Sequence, residues 1–283
     1  TKPPREENFW DMWKFTFCGN FKPTALPAVI YFVMTGVYIA SLVGSELFYD
    51  GLNNYVFLGP SLQLLQDWGA KDPYAMRYKY QYWRLVTAAF LSDGFLQYVF
   101  NSLTLLLIGF ICDGTGAGFN KMAMIFFGSA IGGTLFGSVC SSFLAVGVDI
   151  GYFGFIPAMM AAAIVNWHAL EPIGMMRLCL IMMLVFLFMI VLLFTAPSLD
   201  KNLCGPFTNC PFSYYDFYGH FGSFIAGLFL GLMLMPRVRR LGQVQESSLE
   251  KLCFKIGAGG LALFTILMTT LWFTVVVPTQ YTF

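Results

Sequence analysis

His220 stands in the stretch YGHFGSFIAGLFLGL, with a glycine before it and an apolar, glycine-rich run after it. The chain of 283 residues holds only two histidines. An imidazole titrates near neutrality, so this side chain is suited to take a proton from a nucleophile. Gln97 and Asn101 lie four apart, on one face of a helix, and polar side chains inside a membrane span are costly, which makes each a candidate functional position. A third stretch, GYFG (residues 151–154), is a Gly-x-x-Gly turn that runs into the small-residue apolar helix FIPAMMAA. That is the outline of a catalytic turn. Between its glycines, however, stand Tyr152 and Phe153, neither of which supplies a serine-type nucleophile. No Ser, Thr or Cys occurs between Ser142 and Cys179. The three stretches place polar or turn-forming residues within apolar runs, where each is a candidate functional position.

Such residues need a scaffold, and composition sets its class. The chain is 58% hydrophobic, 18% aromatic and 11% charged, against about 25% charged in an ordinary soluble domain. Long uncharged runs make this a polytopic, all-α membrane protein. Seven spans are expected, near residues 26–48, 85–112, 122–144, 150–167, 175–196, 217–235 and 253–277. With the N-terminus inside, 11 of the 16 Lys and Arg fall on inside segments, so the positive-inside rule puts the C-terminus outside. The net charge of +1 gives no electrostatic case for nucleic acid.

The expected organisation is an interfacial segment at 1–25, a six-helix core at 26–236 with a long outside loop at 49–82, a basic inside loop at 237–252, and a seventh helix with a short tail at 253–283. FWDMWKF gathers Phe9, Trp10, Trp13 and Phe17 near one helical face, as in an interfacial helix. Residues 1–19 carry no apolar core of a secretory signal peptide. Gly128, Gly132, Gly133 and Gly137 give overlapping GxxxG spacings, which let helices approach closely in lipid. The seven cysteines show no CxxC pair, and with two histidines this argues against a metal site. Cys204 and Cys210 bracket a short loop on an outside segment, either as a disulfide or as two free thiols.

The stretch WRLVTAAFLSDGFLQYVFN (residues 83–101) resembles the start of the second helix of the rhomboid intramembrane serine proteases. Trp83, Arg84, Thr87 and Asn101 keep the family's spacing, while Ser92 and Gln97 fall on its two histidine positions. GHFGSFIAGLFLG resembles the rhomboid sixth helix. There His220 matches the general base, and Gly227 and Gly231 match the glycine pair. GYFG lies over the family's Gly-x-Ser-Gly, with Gly151 and Gly154 on the glycines, Phe153 on the serine, and Pro157 on a tyrosine one turn later. The three motifs keep the family's order across residues 83–235, most of a rhomboid core.

The resemblance implies a six-helix rhomboid bundle plus one C-terminal transmembrane helix (6+1). It implies a vestigial site: Phe153 at the nucleophile position, His220 at the base position, Gln97 and Asn101 at the oxyanion positions. Loss of such a nucleophile costs about six orders of magnitude in turnover. The expected function is therefore a pseudoprotease that binds transmembrane clients or partners without cleaving them, in contact with membrane lipid and without a cofactor. The alternatives are a structural subunit of a larger membrane complex and an active protease with an unconventional nucleophile. Phe153 is expected to pack between the fourth and sixth spans beside His220. A seventh helix after the core leans toward the secretory pathway or plasma membrane, with the mitochondrial inner membrane as the alternative.

Overall fold

A computed structural model describes residues 23–167, 181–182, 184–185, 189, 216–237 and 248–274. Most of the expected segment at 1–25, most of the fifth span, Cys204, Cys210 and most of the basic loop lie outside the described residues. Ten α-helices order the part that carries the site. They are α1 (Leu26–Phe48), α2 (Leu62–Trp68), α3 (Pro73–Tyr78), α4 (Arg84–Thr87), α5 (Phe95–Asp113), α6 (Gly118–Cys140), α7 (Asp149–Tyr152), α8 (Phe155–Val165), α9 (Phe217–Leu234) and α10 (Ser248–Thr274). Five of them, α1, α5, α6, α9 and α10, are long and apolar enough to cross a membrane, and α7–α8 form a shorter apolar unit.

The long helices have two apolar faces, as helices immersed in lipid require. Pro27 opens α1 where its missing N–H is not needed. Ile30, Met34, Tyr38, Ser41 and Ser45 then bury one stripe at spacings of three and four. On the other side Phe32 and Leu47 are 59% and 67% exposed. In water such a row would be an aggregation surface; in a bilayer it meets hydrocarbon. Ser41 and Ser45 donate to the carbonyls of Tyr38 and Ser41 in their own helix, so neither hydroxyl faces lipid unbonded.

The second expected span begins later than its apolar pattern suggests. Residues 84–90 form α4 and a single 3₁₀ turn, and the crossing helix starts only at Phe95. Gln97 sets that start. Its side-chain oxygen accepts the Asp93 N–H at 2.8 Å, occupying a backbone donor just ahead of the helix in the manner of a capping box. The fourth expected span is also divided, after Tyr152. Pro157 has no N–H to give to the Phe153 carbonyl, so the helical ladder breaks there and resumes at Phe155.

Arg84 organises the loop between α1 and α5. It is 5% exposed, and its guanidinium donates to the Gln66 carbonyl at 2.6 Å, the Ala70 carbonyl at 2.8 Å and Gln81 Oε1 at 2.7 Å. Five donors in a fixed fork let one side chain satisfy several loop carbonyls at once. Its neighbour Trp83 is 54% exposed. Lys71, fully buried, pairs with Asp216 at 2.5 Å, and its backbone bridges Ala145. Asp216 also caps α9 by accepting the Gly219 N–H at 3.0 Å. The loop, the α6–α7 connection and the start of α9 thus meet at one end of the bundle. At the other end Asn166 donates to the Pro236 carbonyl at 3.0 Å.

The centre of the bundle is α9, which packs on α6, α8 and α10. A Cβ at Gly227 would lie 2.5 Å from the Gly154 carbonyl oxygen and 2.6 Å from its Cα, and one at Gly231 would lie 2.6 Å from the Ala158 Cα. Helix backbones touch here, as small-residue packing in lipid allows. Gly227→Val should therefore force α8 and α9 apart and destabilise the bundle by about 1–3 kcal/mol or more, with unfolding in mild detergent as the measurement. An unchanged midpoint would contradict the contact.

Candidate functional site

His220 lies one turn into α9, behind the Asp216 cap, and is 1% exposed. Its Nε2 is 2.8 Å from Asp149 Oδ2. Its ring stacks on Phe153, with centroids 4.7 Å apart and planes 28° from parallel. The contact expected between the fourth and sixth spans is present. Among the described residues, His220 Nδ1 is buried without a hydrogen-bond partner.

Asp149 is the residue that the motifs did not single out. It opens α7 one turn before Phe153, and its Oδ1 accepts the Ile150 N–H at 3.1 Å. The signal was available. Asp149 is the only acid between Lys121 and Glu171, and an acid inside an apolar run is a site hypothesis by default.

Asn101 and Gln97 do share a face of α5, and both side-chain oxygens are engaged. Asn101 Oδ1 accepts from the Tyr152 hydroxyl at 3.0 Å, which ties α5 to the residue beside Phe153. Gln97 accepts from the Asp93 N–H and donates from Nε2 to the Val146 carbonyl at 3.0 Å. Its carboxamide links the start of α5 to the α6–α7 connection. An oxyanion donor must be aimed at the reacting carbonyl, and this one is aimed at backbone. Asn101 Nδ2 remains buried without a partner.

Glycines 151 and 154 admit neighbours. A Cβ at Gly151 would lie 2.4 Å from the Phe126 ring, and one at Gly154 would lie 1.9 Å from Ser129 Oγ. The Ser223 hydroxyl approaches from α9 and donates to the Ile150 carbonyl at 2.6 Å and the Ser129 carbonyl at 3.0 Å. That hydroxyl is held by backbone, and the side chain hydrogen-bonded to His220 is Asp149. Among the described residues no group of three or more His, Cys, Asp or Glu could hold a metal ion.

Asp93 lies in the turn ahead of α5, outside the spans. It is 2% exposed with Oδ2 unpartnered. Burial, reinforced by the Asp149 charge, holds its carboxyl well above the usual 3.8. The folded state therefore binds a proton that the unfolded chain releases above that value. This contribution to stability is fully present below pH 3.8 and is lost as pH rises through the folded value. Asp93→Asn, which mimics the protonated acid, should raise stability near neutrality and remove this group's fall in stability as pH rises above 3.8. A loss at pH 7 would mean that the carboxylate is ionised.

The Rhomboid domain family model matches residues 79–237, more than half of the chain. The chain belongs to the rhomboid family. Among its relatives in Arabidopsis thaliana, RHOMBOID-like protein 5 is 27% identical over 195 residues, covering 68% of this chain and 56% of that protein. RHOMBOID-like protein 6, mitochondrial, is 26% identical over 188 residues, covering 66% and 55%. Inactive RHOMBOID-like protein 8 is 28% identical over 130 residues, covering 46% and 36%. The rhomboid chain thus spans about half the length, or less, of these relatives. Its crossing helices and family make it an integral membrane protein with an all-helical rhomboid fold.

Proposed function

We propose that this rhomboid chain is a pseudoprotease that engages transmembrane segments of client or partner proteins without cutting them. The observation that carries the reading is the state of His220. One ring nitrogen is taken by Asp149 and one ring face is covered by Phe153. A serine-type mechanism needs the base on a hydroxyl and open space beside it for the scissile carbonyl. Here the base position bonds a carboxylate, and an aromatic ring fills the place of the hydroxyl. The match to Inactive RHOMBOID-like protein 8, although it covers less than half of this chain, runs in the same direction.

The test is a cleavage assay on the purified protein in detergent and in liposomes, with a rhomboid-type transmembrane substrate. No cleavage is expected, and a co-purifying substrate should remain intact. Phe153→Ser alone should stay inactive, because Asp149 still holds His220, Gln97 is bound to backbone and Pro157 breaks the next turn. His220-dependent proteolysis, or labelling of one serine by a fluorophosphonate, would overturn the proposal in favour of an unconventional nucleophile.

A further inference from the structure

The end of α10 docks on the loop through α3. Arg77 Nη2 donates to the Phe273 carbonyl at 2.5 Å, and the guanidinium carbon lies 5.4 Å from the Tyr78 ring centroid. Trp272 meets Tyr82 edge-on, with centroids 5.8 Å apart. Two donors are left over at this junction. Among the described residues, Arg77 Nη1 and Trp272 Nε1 are both buried without a partner, and Trp272 is 6% exposed. Buried indole and guanidinium N–H groups are rarely left unbonded. Both belong to the contact between α3 and the end of α10, since Arg77 bonds the carbonyl of the residue after Trp272, and each needs an acceptor.

The acceptor's charge follows from the surroundings. Residues 73–83 and 256–283 contain no Asp or Glu, while Arg77 and Lys79 bring two positive charges. Neither forms an ion pair among the described residues. The α10 C-terminus would by itself repel an anion, but Arg77 Nη2 already covers the Phe273 carbonyl. Its depth follows from the aromatic belt: Tyr78, Tyr80, Tyr82 and Trp83 are exposed, as side chains at the headgroup level of a bilayer are. We propose that Arg77 and Trp272 hold the phosphate of a phospholipid at the junction of α3 and α10. The guanidinium supplies charge and a directed N–H, and the indole supplies a second N–H to another phosphate oxygen. The lipid would fix the seventh helix to the loop, at a place separate from His220.

The experiment is native mass spectrometry of the delipidated chain in detergent. It is titrated with dioleoyl phosphatidylglycerol and, in parallel, with dioleoylglycerol, which has the same chains and no phosphate. One tight phospholipid per chain and no comparable dioleoylglycerol binding are expected. Trp272→Phe keeps a ring against Tyr82 and removes only the N–H; it should weaken phospholipid binding about tenfold. Arg77→Met should weaken it further. Equal binding of dioleoylglycerol, or an unchanged affinity in Trp272→Phe, would overturn the proposal. Inorganic phosphate is the second arm. Displacement of the lipid by phosphate at matched concentration supports phosphate recognition and assigns the site to the soluble ion, and failure to displace assigns it to the headgroup.

Discussion

Asp149→Ala should lower the stability of the bundle by about 3 kcal/mol, the upper end of the cost of leaving a buried hydrogen-bonding group without its partner. The size follows from what is left behind. His220 is 1% exposed, its Nδ1 already lacks a partner, and Phe153 covers its ring. Without Asp149 both ring nitrogens would be unbonded in an apolar interior. His220→Ala should also be costly, because it strands Asp149 Oδ2. The double variant should lose clearly less than the sum of the two single losses, since each single change includes the penalty of an orphaned partner. Unfolding of all four proteins in mild detergent measures this cycle. Additive losses would mean that the pair contributes nothing as a pair. The cycle also bears on function, because an active rhomboid would show His220 serving turnover rather than the fold.

Lys71→Met is the second large effect. It leaves Asp216 buried beside the first turn of α9 with no cation, and about 3–5 kcal/mol should be lost. The second substitution Asp216→Asn should recover much of that loss, because an Asn oxygen can still accept the Gly219 N–H that caps α9. The readout specific to this latch is hydrogen exchange. In Lys71→Met the first turn of α9 and residues near Ala145 should open together, because Lys71 joins both through side chain and backbone. Exchange confined to the loop would contradict a three-way latch.

Much of the fold was legible because hydrophobic patterning acts locally. The first span was placed at 26–48, the bounds of α1, and the sixth at 217–235, one residue beyond α9. The limits of local reading appear at Gln97 and Pro157. Pro157 lies inside a continuous apolar pattern, and Gln97 lies in the polar first third of an expected span. What breaks the helix is a bond from a side chain to backbone in one case, and an absent N–H in the other.

The site was legible to the extent that residue types at fixed spacing reveal it. Phe153, His220, Gln97 and Asn101 were named from sequence. The partners that decide their chemistry were not, because Asp149 lies 71 positions from His220 and Val146 lies 49 from Gln97. Lys71 entered the sequence reading as one more charge on an outside segment, and it is among the most buried side chains described. Pattern and composition cannot find a partner 145 residues away.

That distance has a consequence for the order of assembly. The Lys71 ammonium leaves the ribosome long before Asp216, separated by 145 residues, or about 10–30 s of synthesis at usual rates. During that time it lacks the Asp216 carboxylate that it meets in the folded bundle, and a lone ammonium does not enter an apolar interior. The loop that Arg84 gathers locally must therefore stay hydrated on the membrane surface until α9 inserts. The last step of bundle formation is then the closing of this long contact. Chains halted before residue 216 should present the loop to an added protease, and full-length chains should hide it.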